Sequence, residues 1–150
     1  MAGLLDTAGE YRQAAVIINN SNHAPPGWLE VPSMMGTMCE YVRANWDHRD
    51  LVHIASFVLW RMNWIHPFMN GNGRTARAVS YLTLCAKYGG LLPAKNTVVQ
   101  QIVTNRALYY AALGECDTRY KQDNLDWVLE PLVSWMAQLL KEQIKASLAS

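Results

Sequence analysis

The chain has 150 residues, 51% hydrophobic and 17% charged, which fits a folded domain with a real core and excludes a disordered chain. Thirteen basic against twelve acidic residues leave a formal net charge of +1, so no global basic field points to nucleic acid and any anion site has to be local. Cys39, Cys85 and Cys116 are widely spaced and form no CxxC pair, which argues against zinc and a disulfide framework and for reduced thiols in the cytoplasm.

The whole chain is read as one domain, with residues 1–10 as a short lead-in and the cut edge of a longer protein. Met1–Asp6 has no basic n-region, and no apolar run approaches the ~20 residues of a membrane span, so neither a signal peptide nor a membrane partner is expected. Tyr11–Ile18 ends in Val16-Ile17-Ile18, a β-branched run that predicts a strand. The turn formers Asn19–His23 follow, then Ala24-Pro25-Pro26-Gly27, which forces an extended path. Residues 11–24 are thus expected as a short strand or β-hairpin in an otherwise helical chain.

A first helix is predicted from Val31-Pro32-Ser33, where Pro32 costs little in the first turn, to about Asn45–His48. Asp47 or Asp50 can cap a second, in which Leu51, Ile54, Ala55, Val58, Leu59, Met62 and Ile65 recur at helical spacing. Nearly free of charge, it reads as a central helix, ending at His66-Pro67. A third pattern resumes after Gly73 and stops at Gly89-Gly90. Thr97–Leu113 reads as one helix closing at Gly114, followed by polar residues 115–122. A last helix, about 123–148, is capped by Asp123 or Asn124, and Pro131 within it predicts a kink or a break. The fold class is all-α: five to six helices with a small β element near the N-terminus.

Between the second and third patterns lies His66-Pro67-Phe68-Met69-Asn70-Gly71-Asn72-Gly73-Arg74-Thr75-Ala76-Arg77. Gly71 and Gly73 let the backbone approach a bulky anion, and the helix start beyond them presents unpaired N–H groups and a partial positive charge. Arg74 and Arg77 lie three apart and share one face of the first turn, which suits a di- or triphosphate. His66 is a candidate general base near neutral pH. The stretch is not a Walker A loop, lacking GxxxxGK(S/T), nor a dinucleotide fingerprint, lacking a preceding strand.

HPFMNGNGRTAR resembles the Fic family signature HxFx(D/E)GNGRxxR at every specified position but one. The likeness extends to Tyr11–Pro26, similar to the family's flap, and to Val31–Met35, and covers roughly residues 10–115, with the C-terminal helices beyond. The resemblance implies a Fic fold with a β-hairpin flap, and transfer of AMP from ATP to a Tyr, Ser or Thr hydroxyl of a target protein. It gives His66 the role of base, Phe68 that of loop anchor, and Gly71, Asn72 and Gly73 that of anion hole, the Asn72 amide helping to orient the phosphates. Arg74 then holds the β-phosphate and Arg77 the γ-phosphate. Val16, Ile17 and Ile18 become a flap that pairs with an extended target segment.

The departure is Asn70, where the family has an acid that binds Mg²⁺; a neutral amide is expected to weaken the metal. Alternatives therefore stay open: transfer of another nucleotide or phosphate-bearing group, or a weakly active or non-catalytic nucleotide-binding module. A helical interaction domain unrelated to nucleotides is a further one. Gly73 argues against the Doc-like kinases, which carry lysine there, and Gly71 against the phosphocholine-transferring relatives, which carry alanine. No Ser or Thr is followed four residues on by Glu, so the family's inhibitory motif is missing, and a separate inhibitory protein or a helix outside these residues is expected. His53 is read as a packed or capping histidine. Tyr109 and Tyr110 are read as helix packing, with a nucleobase pocket as the alternative.

Overall fold

The computed structural model describes residues 8–121 and 124–149. Most of the lead-in (residues 1–7) and the candidate cap Asp123 lie outside the described residues. A 3₁₀ turn at Trp28–Glu30 leads into α1 (Val31–Asn45), followed by α2 (Leu51–Ile65), α3 (Asn72–Tyr88), α4 (Val98–Thr104), α5 (Arg106–Arg119) and α6 (Leu125–Leu148). The fold is all-α, and no helix among the described residues is long and apolar enough to cross a membrane.

Local chemistry sets most boundaries. The Asp50 carboxylate accepts the His53 N–H at 2.8 Å and starts α2. Thr97 and Gln100 form a reciprocal capping box on α4. The Asn124 side chain accepts the Trp127 N–H and starts α6. Gly89, at φ 89°, ends α3 in the left-handed region that a side chain would strain.

α2 is the central element, packed against α1, α3, α5 and α6. Ten of its fifteen residues are buried, His53 to Trp60 without interruption, which is why its sequence shows little amphipathic contrast. His53 is 7% exposed, and its Nε2 meets the Tyr41 hydroxyl at 2.8 Å.

Three expectations are corrected. Residues 11–24 form no hairpin: among the described residues there is no strand, because Val16–Ile18 has no neighbouring chain to pair with. Residues 97–119 are two helices, not one closing at Gly114. Asn105 leaves the helical region at φ −112°, ψ 47° and its side-chain amide donates to Gln101 O at 2.9 Å, while α5 runs through Gly114 to Arg119. Finally, of the kink or break expected at Pro131 the break does not occur: α6 is continuous across it. Proline lacks the N–H that would bond the carbonyl four residues back, that of Trp127. Arg119 Nη1 donates to this carbonyl at 3.0 Å, its guanidinium also lying 3.8 Å over the Trp127 ring and pairing with Glu130 at 3.0 Å.

Candidate functional site

A cleft of about 760 Å³ opens between the C-terminal end of α2, the start of α3, one face of α5 and residues 18–24. His66, Gly73 and Arg77 line it.

His66 directly follows α2 in a left-handed conformation, φ 52° and ψ 61°, uncommon for a side chain larger than glycine. Arg12 holds this corner. Its Nε donates to His66 O at 2.8 Å and its Nη2 to Ile65 O at 3.3 Å, covering carbonyls that the helix end leaves open. The same guanidinium donates to Pro26 O at 2.6 Å and Ala14 O at 3.0 Å, and the Arg12 N–H bonds Pro67 O at 2.8 Å. One buried side chain thus ties the extended segment to His66. His66 Nδ1 lies 3.3 Å from Asn63 O. With that nitrogen as the N–H donor, Nε2 keeps a lone pair for a substrate proton. Burial pulls the His66 pKa below its ordinary value, the charges of Arg12 and His23 adding to this and the Asn63 carbonyl opposing it. This favours the neutral imidazole at neutral pH.

The loop after His66 is closed by its own polar groups. Asn72, 4% exposed, accepts the Phe68 N–H and donates to Phe68 O, each at 2.8 Å. This amide, expected to help orient phosphates, clasps the loop backbone. Phe68 packs against the core, its ring 6.1 Å from that of Tyr11. Asn70 Oδ1 turns back onto the Gly71 N–H at 2.7 Å. Gly71, at φ 76°, occupies a conformation that glycine adopts without strain. At Gly73 a Cβ would stand 3.2 Å from Arg77 Nη1, so a side chain there would require the tip of the second arginine to shift slightly. Among the described residues neither Arg74 nor Arg77 pairs with a carboxylate, which leaves both cations for an anion from solution. Asn70, Gly71, Asn72, Phe68 and Arg74 do not line the cleft itself, and Arg74 is exposed.

The donor set does not fit a Mg²⁺ ion held by the protein. Asn70 is neutral and its oxygen is engaged by the loop, and no cluster of three or more His, Cys, Asp or Glu occurs among the described residues.

On the opposite wall Ile18 lines the cleft, Val16 is half-buried and Ile17 is 88% exposed. His23 Nε2 lies 2.8 Å from Trp64 O, with its ring against the indole. Sequence reasoning missed Arg12, Asn63 and Asp117. Asp117 lines the cleft beside Trp60, whose Nε1 donates to it at 2.9 Å, and burial raises its pKa. One signal was available: Tyr109, Tyr110, Leu113, Gly114, Asp117 and Thr118 recur at helical spacing along the face of α5 that borders the cleft, with Lys121 just beyond its end.

A sequence-family model described as Fic/DOC family matches residues 1–84. A curated relative from Nematostella vectensis, named protein adenylyltransferase Fic, is 32% identical over 73 residues, 47% of this chain. That match spans only 16% of the relative's length. Two crystal structures share the fold. A Fic family protein from Desulfovibrio desulfuricans G20 superposes with a TM-score of 0.77 at 23% identity, over 99% of this chain and 43% of the other. A Fic-domain-containing signaling protein from Bacteroides thetaiotaomicron VPI-5482 does so with a TM-score of 0.70 at 22% identity, over 95% of this chain and 56% of the other.

Proposed function

This chain belongs to the Fic/DOC family, and from that premise we propose that it is a protein adenylyltransferase, moving AMP from ATP to a Tyr, Ser or Thr hydroxyl of a target protein. The observation that carries the reading is one cleft lined by a half-buried, pKa-lowered histidine and by an arginine without a carboxylate partner among the described residues, with Gly73 at the helix start between them in sequence. The name of the Nematostella vectensis relative agrees with it. His66 Nε2 takes the proton of the target hydroxyl. The oxygen attacks the α-phosphorus, the bond from that phosphorus to the bridging oxygen breaks, and pyrophosphate leaves. The N–H groups at the start of α3 and the guanidinium groups of Arg74 and Arg77 hold the phosphates, so catalysis is positioning plus charge stabilisation. Three free cysteines, two of them buried, support a cytoplasmic setting. A separate inhibitory protein remains part of this reading, suited to a site whose arginines pair with no acid among the described residues.

Intact-mass analysis after incubation with ATP and Mg²⁺ tests it. The wild type is expected to gain, or to place on a target, the mass of AMP. His66→Ala should slow this by about 10²–10⁴-fold. Adducts forming equally fast without His66 would remove the base from the mechanism.

Asn70 favours a second reading, a weakly active or nucleotide-binding module, since its oxygen serves the loop instead of a metal. Asn70→Asp separates the two: it is expected to increase both the rate and its dependence on Mg²⁺. An Asn70→Asp chain that binds ATP and still modifies nothing would favour the binding module.

A further inference from the structure

A helix leaves its last four carbonyls without partners inside its own span. In α2 these belong to Met62, Asn63, Trp64 and Ile65, and each is met. The His66 N–H donates to Met62 O at 2.9 Å, His66 Nδ1 faces Asn63 O and Arg12 Nη2 donates to Ile65 O. Trp64 O is met by His23, whose Nε2 stands 2.8 Å away. A carbonyl only accepts, so Nε2 is the ring nitrogen of His23 that carries the proton. The imidazole also lies against the Trp64 indole, ring centres 4.9 Å apart. That indole is itself held, with the Arg61 guanidinium 4.8 Å over its ring and Tyr120 edge-on at 5.3 Å. His23 therefore docks on a fixed platform.

Among the described residues, the bond to Trp64 O is the only hydrogen bond from residues 15–24 to the rest of the chain. On either side, Ala14 O and Pro26 O both go to Arg12. The wall is thus a loop drawn back at both ends to one guanidinium and pinned in between by one histidine. Asn63 O and Trp64 O belong to successive peptide units. The first faces the proposed base and the second holds the wall, so base and wall are fixed to neighbouring points of one helix end.

We propose that His23 is a positioning residue for the acceptor: its bond to Trp64 O holds the open edge at Val16–Ile18 ready for an extended target segment and registers that segment against the His66 imidazole. The proposal rests on the transferase reading of the cleft. Without the pin the loop keeps its two ends and loses its order, and an incoming segment has to order it on binding. That cost falls on the acceptor and not on the nucleotide, whose proposed phosphate ligands are on α3.

The probe is a synthetic strand-forming peptide, alternating Thr and Val about one central Tyr, and the readout is the initial rate of AMP transfer to it. His23→Ala is expected to raise the KM for the peptide about tenfold, with kcat within about threefold and the calorimetric Kd for ATP within about twofold. His23→Gln keeps an N–H that can reach Trp64 O and should bring the KM back to within about threefold of wild type. An unchanged KM, a loss of kcat and ATP affinity along with it, or a glutamine variant no better than alanine would each overturn the proposal. The wild type gives a reading that depends on no variant folding: the His23 Nε2–H should exchange with solvent more slowly with the peptide bound than with ATP alone, and equal exchange would overturn it. A wild type that binds ATP and labels no peptide sinks this proposal alone. A wild type that binds no ATP sinks the nucleotide reading with it.

Discussion

On one wall of the cleft, His66–Arg77, polar groups turn inward on the chain itself: Asn72 clasps Phe68, Asn70 meets the Gly71 N–H, and Thr75 Oγ1 donates to Gly71 O. On the other wall, residues 13–24, no backbone hydrogen bond forms to another backbone group among the described residues, and Ile17 stands 88% exposed. The first wall is determined locally, by a dozen residues that fold around their own amides. The second is placed from a distance, by Arg12 at its root and by the His23–Trp64 contact near its end. A rigid wall suits chemistry, where displacements of an ångström matter. An extended wall with open N–H and C=O groups suits a partner that supplies the missing strand.

The largest effect is expected where the two walls share an anchor. Arg12 is 2% exposed and its guanidinium donates to four carbonyls. Arg12→Ala leaves these without partners, and bonds from charged donors are among the stronger ones. We expect a loss of about 3 kcal/mol and a fall in the thermal midpoint of about 10 °C, together with slower turnover, because His66 O and Ile65 O lose their support. Calorimetric unfolding checks the first and the mass assay the second. A midpoint within about 2 °C of wild type would mean that the anchor is not shared, and the contrast between the walls would need another cause.

Much of the first wall was legible in the sequence because its determinants are neighbours. The helix break at His66-Pro67, the glycines and the two arginines fall within one short stretch, as do the Asp50 and Asn124 caps. The role of Asn72 was not legible, since a buried amide can face its own loop or a ligand, and spacing does not distinguish these. The second wall was misread because β-branched residues predict a strand only if something is there to pair with. Arg12 sits 53 residues from Ile65 and 54 from His66, so no local pattern points to it. Pro131 failed to break α6 for the same reason: Arg119, from another helix, takes the carbonyl that proline leaves open.

Protonation is expected to act more gently, and on the rigid wall. Burial chiefly holds the His66 pKa below its ordinary value of 6.5. The His53 pKa is lowered likewise, with Arg49 adding to burial and Asp126 and Asp50 opposing. A base works when neutral, so the acid limb of the rate profile should have its midpoint below 6.5. For stability the sign follows from proton counts: between the lowered folded values and 6.5 the unfolded chain binds more protons than the folded one. Stability is then highest above 6.5 and declines as pH falls through this window. Rates and thermal midpoints measured from neutral pH downward check both. A rate midpoint at or above 6.5 would show that burial does not set the state of His66.

The smallest effect on the fold, and the sharpest contrast between the walls, is expected from Ile17→Pro. The Ile17 N–H has no backbone partner among the described residues and the side chain is exposed, so the substitution should change stability by no more than about 0.5 kcal/mol. The proposed nucleotide site belongs to the other wall and should be spared. Proline nevertheless removes a donor from the edge that an extended target segment would pair with, and its ring crowds the approach. Target modification should therefore be lost while ATP affinity and the melting curve stay as they were. The decisive measurement is the ratio of the two activities in one preparation. If target modification persists at the wild-type rate beside unchanged ATP binding, the open edge at Val16–Ile18 does not receive the target, and recognition has to come from side chains around the cleft.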